Sequence, residues 1–420
     1  MLYVDDNYFD QQYIERCFAL FDQHPVIGQC RGKCLTVCLS DIAFWIALCL
    51  YVKQNAGSVF PLSVDTPLEA ARCRAERSGS DYLLFGADGE AALGSIEVLD
   101  TTQPGTGARV PALIQMSSGT TGEPKYITRS WASIDTEIES YVRHFSVAND
   151  MTPIVACPVN HSYGLICGVL VALKRGVTPV IIKNLNPKYI LRKLNESVSP
   201  LLYSSPTLVT AITMLAKEDK PIFAVMTSGT QMQQAWFEGV RKKVRHLHQQ
   251  YGCSEAGCIT LGQDITVANQ LGTPLPHVEL IAGSSATEPK EVLVKLPGGH
   301  MIETRDLGYL QSGNLYFVSR LDDMINVAGL NVYPSEVEEV VLQMPEVTDA
   351  VVFKRAQGLG NDQVCLHFVA AFTLPHQQIR EWCAERLARH QVPMNIVQVE
   401  TIAKLPNGKV SRKALAETSA

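Results

Sequence analysis

The sequence predicts an α/β protein. A large N-terminal domain of layered mixed and parallel sheets with helices carries a small β-rich subdomain, and a small α+β C-terminal domain follows. Three observations lead there. Strand-like and helix-like segments alternate from Cys34 to Thr227, as they do when helices cover a mainly parallel sheet. From about Gly272 short Val- and Leu-rich strands alternate with Gly turns. After Arg320 a third pattern begins, so the domain limits are read as 1–320 and 323–420.

In chain order, Cys34 to Leu39 reads as a strand, Ile42 to Lys53 as a helix and Gly57 to Leu62 as a strand. Pro67 to Ser78 is a helix and Asp81 to Phe85 a short buried strand. Ala112 to Met116 and Pro153 to Cys157 are strands, Tyr163 to Leu173 a helix and Pro179 to Ile182 a strand; Leu201 to Ser204 and Ile222 to Thr227 continue the series. Glu291 to Leu296 and Leu315 to Val318 belong to the β-rich part. The last domain is read as a helix from Pro334 to Gln343, strands around Val347 and Val364, and a helix near Gln377 to His390.

The 420 residues suffice for two or three domains, and 46% hydrophobic with 19% charged residues is ordinary for a globular protein. A net charge of −6 gives no support for a nucleic-acid partner, which asks for a basic surface. The start, Met1 to Gln12, lacks the basic and apolar regions of a secretion signal. The longest apolar run, Ile42 to Val52, is too short for a bilayer and reads as a buried helix. Twelve cysteines are scattered; Cys30, Cys34 and Cys38 stand four apart without further ligands at zinc-like spacing. Packed free thiols and a cytoplasmic location are the expectation.

The most informative segment is Ser117-Ser118-Gly119-Thr120-Thr121-Gly122-Glu123-Pro124-Lys125, directly after an apolar strand. Small residues let the backbone approach phosphate oxygens, glycines turn successive N–H groups inward, hydroxyls add donors and Lys125 adds a charge. The spacing is not that of the common P-loop. The order of residues resembles the phosphate-binding signature of the acyl-adenylate-forming superfamily: acyl- and aryl-CoA ligases, adenylation domains of peptide synthetases, and luciferases. This segment implies ATP binding through Ser117, Ser118, Gly119, Thr120, Thr121, Gly122 and Lys125.

Further motifs follow in the family's order. Tyr251-Gly252-Cys253-Ser254-Glu255 is similar to Tyr-Gly-x-Thr/Ser-Glu, which implies an aromatic face for adenine, Ser254 for the α-phosphate and Glu255 for Mg²⁺. Ser228-Gly229-Thr230 resembles the turn that borders adenine and acid. Asp306 sits where the family holds both ribose hydroxyls, with Arg305 in place of the usual glycine. Arg320-Leu321-Asp322-Asp323 resembles the hinge motif, which implies a hinge at 321–322 with Asp322 as its pivot, Arg320 reaching ribose or phosphate, and residues 323–420 as a mobile lid domain. Lys409, in Gly408-Lys409-Val410-Ser411-Arg412, matches the catalytic lysine that bridges substrate carboxylate and α-phosphate.

The resemblance spans about residues 30 to 415, with an N-terminal lobe that reads as shorter than in many relatives. It implies a Mg·ATP-dependent ligase that converts a carboxylic acid to acyl-AMP and hands the acyl group to a thiol, that of CoA or of a carrier-protein phosphopantetheine. Catalysis would rest on Lys409, Glu255, Ser254 and His161. His161 and Ser162, in Pro158 to Gly164, resemble the segment that borders the acid, together with Gly229. Amino-acid-activating relatives carry an Asp next to this His; Ser162 supplies no counter-charge for an ammonium, which favours an aryl acid. An amino-acid-activating enzyme and a non-catalytic acyl-AMP or nucleotide sensor of the same fold are the alternatives.

Overall fold

The computed structural model describes residues 1–99, 110–117, 125–327, 330–357, 361–404 and 410–418. Two sheets dominate. The smaller has six strands; at its centre Cys34–Leu39 lies parallel to Ser58–Pro61 and Tyr82–Gly86, and Ser58–Pro61 pairs with Ala112–Ser117. Ala112–Ser117 then turns back as the antiparallel Lys125–Ser130, pairing Ser117 with Lys125.

The larger sheet has thirteen strands and is half parallel, half antiparallel. Its parallel part runs Val180–Ile181, Thr152–Val155, Pro200–Ser204, Ile222–Thr227, Val244–Cys253. From Gly257–Gly262 onward every added strand is antiparallel, through Gln270–Pro274, Asn314–Arg320, Met301–Gln311 and Lys290–Lys295 to Glu279–Ile281. The expectation of a mainly parallel architecture with a β-rich appendage is thereby refined: the appendage continues the same sheet.

Strand periodicity assigns the layers. Leu201, Tyr203, Ala224 and Met226 face a core shared with the smaller sheet, whereas Leu202 and Val225 face the helices Pro187–Glu196, Pro206–Leu215 and Gln234–Lys243. Helix Ile42–Gln54 belongs to the shared core and is apolar nearly all round for that reason. Asp41 caps it by accepting from the Phe44 N–H at 3.0 Å, and the Trp45 indole donates to the Val159 carbonyl at 3.1 Å. Truncating its fully buried Leu48 to Ala should cost about 2–5 kcal/mol.

Two helices differ from the sequence expectation. Tyr163–Leu170 is a π-helix that tightens to α only over Val171–Arg175, ending at Gly176 with φ +75°. Gly164 and Gly168 allow this packing: a Cβ on Gly164 would lie 2.3 Å from the Pro158 carbonyl oxygen, and one on Gly168 2.9 Å from Val155. The helix expected to reach His390 stops at Ala384, because the chain must turn before Asn395–Gln398 joins Asn361–Ala370 in parallel. Helices Gln11–Gln23 and Trp131–His144 and the three covering helices lie outside the elements read from the sequence.

Residues from Ile325 to Ile396 build a separate apolar core around Val337, Val341, Val352, Leu366 and Phe368. The three cysteines spaced by four are buried: Cys34 and Cys38 point to one side of their strand, and Cys30 belongs to a different core. No helix among the described residues is long and apolar enough to cross a membrane.

Candidate functional site

Most of the motif residues lie at the carboxyl ends of strands, where α/β sheets bind ligands. Strand Thr152–Val155 leads to Pro158–Gly164, Ile222–Thr227 to Ser228–Thr230, and Val244–Cys253 to Ser254 and Glu255. Because Thr227 pairs with Gln249, Ser228 stands beside Gln250, and its hydroxyl donates to the Gln250 carbonyl at 3.1 Å. Gly229 has φ +96°, a conformation costly for any side chain.

On the nucleotide side, Asp306 and Arg320 are register partners on adjacent strands, with a carboxylate–guanidinium separation of 3.5 Å. The Tyr251 hydroxyl donates to Asp306 at 2.8 Å. Burial pushes the Tyr251 phenol well up, aided by the Asp306 carboxylate, so it stays a donor. Tyr251, Asp306 and Arg320 thus form one constellation. Arg305, where the motif resemblance leads one to expect glycine, has φ +62°, and its guanidinium meets Asp322 at 2.7 Å.

Ser254 and Glu255 occupy the turn between two antiparallel strands. Gly252 is obligatory there: a Cβ would lie 2.1 Å from the Gly257 carbonyl oxygen. Both residues are half-buried, and Glu255 has no ion-pair partner among the described residues. A single carboxylate suits Mg²⁺, whose shell is commonly completed by substrate phosphates and water.

On the acid side, the Ser162 hydroxyl donates to the buried Gln115 side chain, joining this segment to the strand that enters the phosphate loop. Tyr163 donates to the carbonyls of Met226 at 2.6 Å and Ser204 at 3.3 Å, binding the ends of two parallel strands together. The His161 ring reaches solvent, yet crowding by protein lowers its pKa and keeps it neutral near pH 7. Under this surface the Gln250 side chain accepts from Tyr141 at 2.9 Å and contacts Cys167 at 3.3 Å.

Ser118, Gly119, Thr120, Thr121, Gly122 and Lys409 lie outside the described residues. Ser117 and Lys125 are the paired ends of the two strands flanking the phosphate loop. Sequence reasoning missed Gln115, Tyr163 and Gln250, and also the buried pair Arg129–Glu137. Its signal was present: Trp131, Ile134, Ile138 and Tyr141 form an apolar stripe in which Glu137 is the one charged residue.

The AMP-binding enzyme family model matches residues 32–289, and that of the AMP-binding enzyme C-terminal domain matches residues 336–409. The 3,4-dihydroxybenzoate–[aryl-carrier protein] ligase of Bacillus anthracis is 36% identical over 419 residues, 99% of this chain and 98% of that protein. O-succinylbenzoate coenzyme A synthetase from Bacillus subtilis, in complex with AMP, superposes with a TM-score of 0.83 at 19% identity, covering 99% of this chain and 94% of that one. ATP-bound MatB from Rhodopseudomonas palustris does so at 0.82 and 18% identity, covering 96% and 92%. These two structures share the fold.

Proposed function

The chain belongs to the AMP-binding enzyme family, and on that premise we propose that it activates a dihydroxybenzoate-type aryl acid and loads it onto the phosphopantetheine thiol of a carrier protein. It is an ATP-dependent, AMP-forming acid–thiol ligase. The observation that carries the finer reading is the 36% identity along 99% of the chain to an aryl-acid–carrier-protein ligase.

In the first half-reaction a carboxylate oxygen of the acid bonds to the α-phosphorus of ATP, the bond to the β-phosphate bridge breaks, and pyrophosphate leaves. Charge grows on the non-bridging oxygens, so the site must offer cations and oriented donors. Ser254 is the donor we assign to the α-phosphate, Lys409 the cation that bridges it to the carboxylate, and Asp306 with Arg320 the ribose clamp. Mg²⁺ at Glu255 would neutralise phosphate charge. His161, Ser162 and Gly229 are the residues we assign to the acid. In the second half-reaction the thiol sulfur attacks the acyl carbon, AMP departs, and the thiol proton goes to solvent. Residues 323–420 act as the lid that turns about Asp322 between the two steps; their separate core supports this division.

ATP–pyrophosphate exchange across benzoates, cinnamates, fatty acids and amino acids tests the acid, and mass spectrometry of a carrier protein incubated with enzyme, ATP and acid tests the acceptor. Exchange confined to dihydroxybenzoates, with an acylated carrier, is expected. Exchange only with fatty or amino acids overturns the aryl reading; turnover only with CoA overturns the carrier.

A further inference from the structure

The buried ion pair Arg129–Glu137 has no part in the chemistry above, yet it touches two of the segments that carry it. Arg129 lies on Lys125–Ser130, the strand that leaves the phosphate loop, and Glu137 on the helix that follows. Their side chains are 6% and 1% exposed, and the Arg129 Nη2 donates to Glu137 Oε2 at 2.6 Å. The other carboxylate oxygen, Oε1, accepts from the backbone N–H of Cys258 at 2.7 Å. Cys258 is the second residue of the strand that follows the Ser254–Glu255 turn.

The residue between them, Gly257, is shaped to receive the pair. It has φ +76°, and a Cβ there would lie 2.4 Å from Arg129 Nη1 and 2.4 Å from Glu137 Oε2. The chain is therefore continuous: phosphate-loop strand, Arg129, Glu137, backbone of Gly257 and Cys258, and the turn bearing Ser254 and Glu255. A buried ion pair is a poor source of stability, because apolar residues of like volume commonly do as well. Arg129 Nη1 is buried without a partner among the described residues, so the pair is held by the Nη2–Oε2 and Cys258 N–H bonds alone. What those charge-assisted bonds supply instead is a fixed distance and direction between the elements they join.

We propose that Glu137, held by Arg129, is a positioning residue that sets the Ser254–Glu255 turn at its working distance from the phosphate-loop strand, so that Glu255 meets the metal on ATP. The inference rests on the nucleotide part of the functional reading and not on the identity of the acid.

Calorimetric titration of ATP, with excess Mg²⁺ and separately with a chelator, tests it in the full-length chain. The double variant Arg129→Met with Glu137→Gln removes both charges, keeps the volumes and leaves an acceptor for the Cys258 N–H. It should melt near the wild type, bind ATP without metal within about two-fold of it, and lose at least about ten-fold of the affinity that Mg²⁺ adds. Arg129→Lys, which keeps a charge for Glu137, should recover most of that gain. Glu137→Gln alone should show the same loss as the double variant and carries the test if the double variant does not fold. A folded variant with wild-type Mg²⁺ dependence overturns the proposal. Failure of both to fold overturns it too, since the pair would then hold the fold and not the turn. Wild-type chain that binds Mg·ATP but exchanges pyrophosphate with no acid would sink the substrate reading and leave this one standing.

Discussion

Arg305 and Asp322 form an ion pair of 2.7 Å across the point where the chain passes from the large sheet to the C-terminal unit. Arg305 holds φ +62°, the Leu321 N–H donates to its carbonyl at 2.8 Å, and the second carboxylate oxygen of Asp322 is buried without a hydrogen-bond partner. A side chain in a glycine-favouring conformation therefore grips the residue assigned as the hinge.

Replacing Arg305 with Gly removes the grip and the backbone strain together. The pair is partly exposed and screened by solvent, so it adds little stability, and relief of the left-handed conformation offsets its loss. Stability should change little. The ratio of the adenylation rate to the thioester-forming rate should shift by up to about five-fold, as a freed hinge equilibrium would. Single-turnover measurement of both steps checks this; an unchanged ratio sinks the link between the pair and the hinge.

Asp322→Pro fixes the hinge backbone and also deletes the pair. Adenylation should survive within a few-fold while thioester formation slows by at least about ten-fold, measured as pyrophosphate exchange against acyl transfer. Equal loss of both steps would remove Asp322 from the hinge role.

Tyr251→Phe deletes the hydroxyl that donates to Asp306. A hydrogen bond to a charged acceptor is worth about 1.5–3 kcal/mol, part of which water can replace here. The KM for ATP should rise by about three- to ten-fold with kcat and the KM for the acid little changed. A change confined to the acid would mean that Tyr251 does not serve the nucleotide.

Ser162→Asp sets a carboxylate beside Gln115 and close to the segment assigned to the acid. An aryl acid should then lose at least about ten-fold in kcat/KM, near 1.4 kcal/mol, through like-charge repulsion. Exchange assays with wild-type and variant chains decide it; full activity of the variant would move the acid away from Ser162.

His248 makes folding sensitive to acid. Burial lowers its pKa from 6.5 to about 4, its Nδ1 accepts from the Asp264 N–H at 3.2 Å, and its Nε2 has no partner. Because the native pKa lies below the unfolded one, the unfolded chain takes up the proton first as pH falls. The contribution is complete above pH 6.5 and is lost as pH drops towards 4, amounting to about 3 kcal/mol. Denaturant unfolding of wild type and His248→Asn at about pH 7.5 and about pH 4.5 should show a smaller acid loss in the variant. Equal losses would refute the assignment.

The sequence by itself determined the strands and helices whose pattern is local. Cys34–Leu39 and Ile222–Thr227 match their expected limits because buried parallel strands read as short apolar runs between turns. It also determined the order of the nucleotide motifs, since residue types that meet phosphate, ribose and metal are chemically constrained. Tertiary structure alone decided what depends on residues far apart in the chain. The π-helix at Tyr163 follows from a close approach to Val155 and Pro158, which no helical periodicity encodes. The Arg129–Glu137–Cys258 link spans more than a hundred residues, and only packing could reveal that a lone carboxylate in an apolar stripe joins the strand Lys125–Ser130 to the backbone of Cys258. Arg305 looked in the sequence like a lost glycine. The fold shows it reaching Asp322, because the pairing of Asp306 with Arg320 brings Arg305 beside the turn that follows Arg320.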